Sequence, residues 1–160
     1  MVAFSRRARQ AAKDLTSRTS RPPSTTRTIP TTALLQQILD EFGLLHGIDD
    51  DGDLVVRWER CSIYFFHYGD RGEVLQARLY VNERYDVEMR PAIVALLDDW
   101  NRTKLFPKAY TVLPDDGRVG ICAEHAYDFE VGVARDQLKE AVRVWIQTLL
   151  NFADWLEDQI

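Results

Sequence analysis

The feature that most constrains this fold is a run of three strand-like segments joined by links of at most five residues. Side chains of different polarity alternate along residues 54–59, 61–68 and 74–81, and a period of two is typical of β-strands. Links this short cannot hold the crossover connection that parallel pairing needs, so the three strands are predicted to form an antiparallel sheet. Gly69–Gly72 is predicted to be the hairpin loop between the last two.

Helical periodicity surrounds these strands. A first helix is predicted from about residue 32, capped by Thr31 or Thr32, and a second over about residues 89–102 with Pro91 in its first turn. Pro107 begins a fourth strand, and the turn 115–117 leads into a fifth, over about 118–127. A last helix runs from about residue 135 to near the C-terminus. The order helix-strand-strand-strand-helix-strand-strand-helix predicts an α+β class, with an antiparallel sheet packed by helices.

Two surfaces are candidates for binding a partner. The apolar stripe of the last helix is wider than one small sheet needs, so it either wraps the sheet or meets another subunit. The third strand carries polar side chains opposite its apolar face, and that side is predicted to be wet or covered by a partner. Lys108, at a strand edge, is expected to pair with Asp98 or Asp99 or to contact an acidic partner. The candidate residues are Trp145, Leu149, Phe152, Leu156, Gln76, Arg78 and Lys108.

Charge divides the chain into two parts. Residues 1–31 carry seven basic residues and one acidic residue, a net charge of +6, whereas residues 32–160 carry 13 basic and 24 acidic residues, a net charge of −11. The first part is rich in Arg, Ser, Thr and Pro and has too few large apolar residues to form a core. We therefore predict a disordered basic tail over residues 1–31 and one α+β domain over residues 32–160.

The basic tail allows several interpretations. Its arginine cluster is typical of segments that contact nucleic acid or an anionic membrane, and its composition also resembles organelle import sequences. A solvated extension, or a start codon assigned too far upstream, explains the same composition more simply.

Residue types of catalytic and metal sites occur, but not in the patterns that such sites need. No phosphate-binding glycine loop and no nucleophile elbow is present. Asp49–Asp53 resembles a calcium loop, yet Gly47 and Trp58 stand where the first and twelfth ligands belong, so a turn is predicted. His125 beside Glu124 fits no standard zinc spacing. We expect no catalytic, cofactor-binding or metal-binding residue.

Three features of the sequence indicate the cellular compartment. No segment is apolar over the roughly 18–20 residues that span a bilayer, and the first residues do not have the pattern of a secretory leader. Cys61 and Cys122 are too few for a disulfide framework and are typical of buried thiols in a reducing compartment. We therefore expect a cytoplasmic protein.

Eight short motifs lie in order along the predicted domain: Asp51–Asp53, Gly72–Gln76, Trp100–Asn101, Pro107–Tyr110, Asp115–Val119, Ala123–Glu124, Phe129–Val133 and Gln137–Leu138. Taken in their order and spacing, they resemble the bacterial YbjN-like family, and its actinobacterial members most of all. The resemblance covers about residues 33–157, nearly the whole of the predicted domain.

The resemblance implies a fold and a class of function. Members of this family are described as sensory transduction regulators, and their fold is similar to that of type III secretion chaperones, small α+β proteins that often dimerise and bind partner proteins. It implies no catalytic residue. We therefore expect a non-enzymatic protein-interaction or chaperone-like module with a protein client and the capacity to form a homodimer. The alternatives are a nucleic-acid-associated regulator that uses the basic tail, and an enzyme or small-ligand binder with a cleft between the last helix and the sheet.

Overall fold

The computed structural model describes residues 26–160 and confirms an α+β fold. Its α-helices are α1 (Thr32–Glu41), α2 (Arg90–Thr103) and α3 (Arg135–Glu157). Its strands are β1 (Arg27–Thr28), β2 (His46–Ile48), β3 (Leu54–Arg57), β4 (Cys61–Tyr68), β5 (Val74–Val81), β6 (Lys108–Val112), β7 (Gly120–Asp128) and β8 (Val133–Ala134).

Six of these strands form one antiparallel sheet in the order β2-β3-β4-β5-β7-β6. β4 and β5 pair along their whole length, from Cys61 opposite Val81 to Tyr68 opposite Val74, so their link is the predicted hairpin loop. β7 pairs with β5, and β6 lies outside β7. The five longer strands and three helices follow the predicted order.

Three short strands were not predicted from the sequence. β2 is three residues long and adds one strand to the sheet beside β3. β1 and β8 are two residues each and pair with one another. The prediction of a disordered tail through residue 31 is therefore wrong for Arg27 and Thr28, and its remainder over residues 1–25 lies outside the described residues.

The three helices lie on one face of the sheet, which we call the inner face. Inner-facing strand residues such as Ile63, Phe65 and Leu79 are at most 1% exposed and belong to one core with the apolar residues of all three helices. Because alternate residues of a strand face opposite sides, the same pattern leaves the other face without a helix.

The helix boundaries follow local sequence signals. Thr31 Oγ1 accepts a hydrogen bond from Leu34 N at 3.2 Å, so Thr31 is the N-cap of α1. Pro91 lies in the first turn of α2, where a backbone N–H would have no acceptor within the helix, so the absence of this group from proline costs no hydrogen bond. Across residues 26–160, none of the helices is both long and apolar enough to cross a membrane.

The wide apolar stripe of α3 is used inside the chain. Leu149, Phe152 and Leu156 are at most 3% exposed. The Phe152 ring packs edge-on against Trp100 of α2, with 5.1 Å between ring centroids, and Trp155 lies 4.7 Å from the same tryptophan. α3 therefore packs against both the sheet and α2, and the prediction that these three α3 residues face a partner is wrong.

The aspartate-rich segment between β2 and β3 is a turn, as predicted. Asp49 Oδ1 accepts hydrogen bonds from Asp51 N at 3.0 Å and from Asp53 N at 2.8 Å, and Gly52 adopts a φ of 88° that favours glycine. No group of His, Cys, Asp and Glu residues that could hold a metal ion occurs in the part of the chain that the structure describes.

Trp100 and Asn101 close the sheet at its β6 edge. The Trp100 indole N–H donates to Pro107 O at 2.9 Å. The Asn101 side chain donates to Ala109 O at 2.8 Å and accepts from Ala109 N at 2.9 Å. These bonds occupy outward-facing backbone groups of β6 that an additional strand would otherwise use. The Trp-Asn pair therefore blocks the first part of this edge.

We predict that Asn101→Ala lowers the free energy of unfolding by about 1 kcal/mol, because the N–H and C=O of Ala109 lose their partner. Urea denaturation measures this change. Arg102→Ala is the matched control: its guanidinium pairs with Asp99 on an exposed surface, and such pairs contribute about 0–1 kcal/mol, often nothing measurable. Equal losses in both variants would contradict the edge-closing role.

Candidate partner surface on the open face of the sheet

The face opposite the helices, which we call the open face, carries side chains that are distant in sequence. No helix within residues 26–160 covers it. Strand register places the following residues there: Arg57 of β3; Tyr64, Phe66 and Tyr68 of β4; Gln76, Arg78 and Tyr80 of β5; Lys108 and Tyr110 of β6; and Glu124 of β7.

Four aromatic rings form a continuous row on this face. Tyr64 and Phe66 are stacked, with ring centroids 5.9 Å apart and planes 7° from parallel. Tyr80 meets Tyr64 edge-on at 5.6 Å, and Tyr68 lies 6.3 Å from Phe66. Rings in these arrangements hold one another in fixed positions. The row is a partly exposed apolar platform on a sheet face that would be polar if it met only water.

Arg78 lies at the centre of the platform. Its guanidinium carbon is 5.4 Å from the Phe66 ring centroid and 5.9 Å from that of Tyr80, within the range of cation–π attraction. Its Nε–H donates to Glu124 Oε2 at 3.1 Å, and an Nη1–H donates to Tyr80 Oη at 3.1 Å. The guanidinium plane is therefore fixed by both neighbouring strands.

Glu124 joins three strands through one carboxylate. Besides Arg78, it accepts a hydrogen bond from the Tyr110 hydroxyl at 2.5 Å and lies 2.8 Å from Lys108 Nζ. Burial alone would raise the pKa of Glu124, but the hydrogen bonds from Lys108 and Tyr110 and the nearby Arg78 charge outweigh it and hold the pKa below its ordinary value. Burial, and then the bond to Glu124, raise the pKa of Tyr110.

A hollow of about 460 Å³ lies on the open face beside the aromatic row. Its lining includes the rings of Tyr64, Phe66 and Tyr80, the aspartates at positions 49, 51 and 53, and one cationic side chain, Arg84. Burial raises the pKa of Asp53 and the charges of Asp49 and Asp51 raise it further. The part of the hollow beside these three aspartates therefore favours a cationic group over an anionic one.

The structure brings together three of the seven residues that the sequence proposed for partner binding. Arg78 and Lys108 both contact Glu124, and Gln76 lies between Arg78 and Tyr68, whose hydroxyl donates to Gln76 Oε1 at 3.2 Å. Gln76 itself is buried. Lys108 pairs with Glu124, so the expectation that it pairs with Asp98 or Asp99 is wrong.

Trp145, the fourth surface candidate, lies apart from this group on the helix side. Its ring stacks on His125 at 5.6 Å. His125 is buried, its Nε2 lies 2.7 Å from Thr148 Oγ1, and burial lowers its pKa to about 4. Trp145 also lines a shallow, mainly apolar pocket of about 280 Å³ beside Phe129. This pocket is the structural counterpart of the predicted cleft, but it gathers few polar groups.

The sequence reasoning missed the aromatic residues and Glu124. A signal for the aromatics was available, because both alternating sets of β4 are apolar or aromatic: one set includes Ile63 and Phe65, the other Tyr64 and Phe66. A strand with two such sets predicts that both faces of its sheet are covered. Glu124 had no such signal, because its importance depends on the pairing of β5, β6 and β7.

The arrangement on the open face is suited to binding. Arg78, Lys108 and Glu124 are already paired with one another, and Cys122, the thiol on this face, is fully buried with a pKa that burial raises to about 11. A thiol in that state is a poor nucleophile. The face therefore offers flat rings, a fixed guanidinium and an acidic rim.

Comparison with known proteins identifies relatives of this fold. The profile of the YbjN family, described as "Putative bacterial sensory transduction regulator", matches residues 31–158. The sequence has no match among curated proteins.

Among solved structures, the crystal structure of YbjN from E. coli, described as a putative transcription regulator, superposes with a TM-score of 0.68 at 16% sequence identity, covering 84% of this chain and 96% of that one. An uncharacterized protein from Methanothermobacter thermautotrophicus gives a TM-score of 0.44 at 12% identity, covering 79% of this chain and 96% of that one. The first likeness shows the same fold.

Proposed function

The chain belongs to the YbjN family. We propose that it acts as a non-enzymatic protein-interaction module that holds a partner polypeptide on its open face. The observation that carries the proposal is the row of mutually packed aromatic rings around Arg78, on a sheet face that no described helix covers. Regulation by such a module consists of binding and releasing a partner.

The chemistry of the open face supports a polypeptide as the bound molecule. Tyrosine and arginine are enriched among the residues that dominate binding energy at protein interfaces. Rings and a guanidinium that are already fixed by their neighbours lose little conformational entropy when a partner arrives. The apolar side chains of a partner can pack on Tyr64 and Phe66, and a basic side chain can reach the acidic rim at Asp51 and Asp53.

Two surface variants test this proposal. Phe66→Glu places a charge in the aromatic row, and Val144→Glu makes the same chemical change on the exposed side of α3, where Val144 is 37% exposed. We expect a protein that the wild-type chain retains from lysate to be retained by Val144→Glu and to bind Phe66→Glu at least about tenfold more weakly, a difference of about 1.4 kcal/mol.

Thermal unfolding of both variants shows whether each remains folded. If folded Phe66→Glu retains the same partner as well as the wild type, or if Val144→Glu is the variant that loses it, the open face is not the binding surface.

A second candidate function is favoured by the charge of residues 1–25. This segment carries six basic residues and one acidic residue, whereas residues 26–160 carry 14 basic and 24 acidic residues. The E. coli relative is described as "a putative transcription regulator". If the chain binds duplex DNA through this segment, deletion of residues 1–25 abolishes a salt-sensitive association, because the acidic remainder repels phosphate. Binding that survives the deletion would exclude this mode.

The proposed location is the cytoplasm. Cys61 and Cys122 are free thiols, and both are buried. Unpaired cysteines are usual in a reducing compartment.

A further inference from the structure

The two edge strands of the sheet differ in whether their outward-facing backbone groups are bonded. At the β6 edge, Trp100 and Asn101 bond to backbone groups of Pro107 and Ala109. At the β2 edge, no strand of the described chain lies outside β2. Natural proteins usually block exposed strand edges, because an open edge can pair with a strand of another chain. The β2 edge is therefore the more open of the two edges.

The hydrogen-bond pattern shows which groups of β2 point outward. Asp49 N donates to Asp53 O at 3.0 Å, so residues 49 and 53 are a hydrogen-bonded pair. Such pairs recur every second residue in an antiparallel ladder, and the next one joins Gly47 to Val55. The N–H and C=O groups of His46 and Ile48 therefore point away from β3. These two residues are placed symmetrically about Gly47.

Within a single chain, nothing in the structure requires residue 47 to be glycine. It is not among the glycines with positive φ, and a Cβ added to it would meet no atom within 4 Å. Glycine inside a strand weakens it, and its presence there often marks the close approach of another backbone. The large apolar residues on either side of it, Leu45 and Ile48, are 93% and 48% exposed.

The charges at the two ends of this edge are complementary. Arg57, the last residue of β3, lies on the open face at the His46 end of β2, is exposed, and makes no ion pair within residues 26–160. The Asp49–Asp51 turn is acidic and lies at the other end. An antiparallel neighbour of the same sequence, centred on Gly47, brings each Arg57 beside the acidic turn of the other copy.

We propose that a second copy of this chain pairs with β2 in an antiparallel, two-fold symmetric arrangement centred on Gly47. The N–H and C=O of His46 bond to the C=O and N–H of Ile48 in the second copy, and the reverse pair forms by symmetry. The two sheets then become one, and the two open faces lie side by side. Because β2 has three residues, the dimer is reversible.

A cysteine at the symmetry axis tests the arrangement directly. In the proposed dimer the two Gly47 residues form a non-hydrogen-bonded pair, with Cα atoms about 4.5 Å apart, a separation that a disulfide accommodates. The native Cys61 and Cys122 do not compete, because both are fully buried and burial raises their pKa values to about 12 and about 11. We expect Gly47→Cys in the full chain to form a covalent dimer under mild oxidation.

Leu105→Cys is the matched control, because Leu105 is 86% exposed and follows α2, far along the chain from β2. It reports cross-linking by random collision. If Gly47→Cys forms no more covalent dimer than Leu105→Cys at the same concentration, the arrangement is overturned.

Charge reversal tests the same dimer without a cross-link. In sedimentation equilibrium, Arg57→Glu and Asp51→Arg are each expected to weaken association about tenfold, and the double variant to restore most of it, because the opposite charges face each other again. Equal association of wild type and Arg57→Glu, or a double variant as weak as the single ones, would overturn the proposal. A wild-type chain that stays monomeric at all concentrations would do the same.

Discussion

Replacing Phe152 by alanine is expected to lower the free energy of unfolding by about 3–5 kcal/mol. The side chain is fully buried, and its ring lies 5.1 Å from Trp100 and 5.9 Å from Trp155. Alanine removes most of this contact and leaves a cavity where α3, α2 and the sheet meet. Urea denaturation, followed by tryptophan fluorescence, measures the loss.

The control for this variant lies on the same helix. Val144→Ala removes an exposed apolar side chain and is expected to change stability by no more than about 0.5 kcal/mol. If Phe152→Ala proved nearly as stable as wild type and instead lost a partner, α3 would be an interaction surface, as the sequence suggested, and not a core helix.

Replacing Glu124 by glutamine is expected to lower the free energy of unfolding by about 2 kcal/mol at neutral pH. The substitution keeps the shape of the side chain but removes the charge that Arg78, Tyr110 and Lys108 share. Arg78 has a side chain 26% exposed, so its guanidinium loses a charged hydrogen-bond partner in a partly desolvated position. Lys108→Met, at a side chain 67% exposed, is expected to lose less than about 1 kcal/mol.

The pH dependence of this difference identifies the carboxylate as its cause. The folded pKa of Glu124 lies below its ordinary value, so the stabilisation is complete above the ordinary glutamate pKa of about 4.3 and is lost as the pH falls through the folded pKa. The stability gap between wild type and Glu124→Gln is therefore expected to be full at pH 7 and to narrow below about pH 4. A gap of constant size would contradict this explanation.

The sequence was sufficient to predict the long elements because their periodicity is local. In β4 and α3, the residues that face the core recur at a regular spacing that is visible in the sequence. β2 has three residues, one of them glycine, and forms because β3 is present to pair with it. β1 and β8 depend on each other across more than 100 residues, as Arg27 opposite Ala134 shows. Such pairings leave no periodic pattern to read.

The candidate site was predictable only in part for the same reason. Gln76 and Arg78 could be assigned to a non-core strand face by alternation alone. The sequence does not show that α3 also packs on α2, where Trp100 contacts Phe152 and Trp155. For this reason the prediction from the width of the α3 stripe was wrong. The Trp100–Asn101 motif supports the family resemblance, but its role in closing β6 depends on which strand is the edge.

The central claim is that a partner polypeptide lies on the open face, and site-specific photo-crosslinking tests it most directly. A benzophenone amino acid at Phe66 reports contacts at the aromatic row, and the same group at Val144 reports contacts at the exposed side of α3. The account predicts a covalent adduct with one partner from position 66 and none from position 144. An adduct from position 144 alone would contradict it.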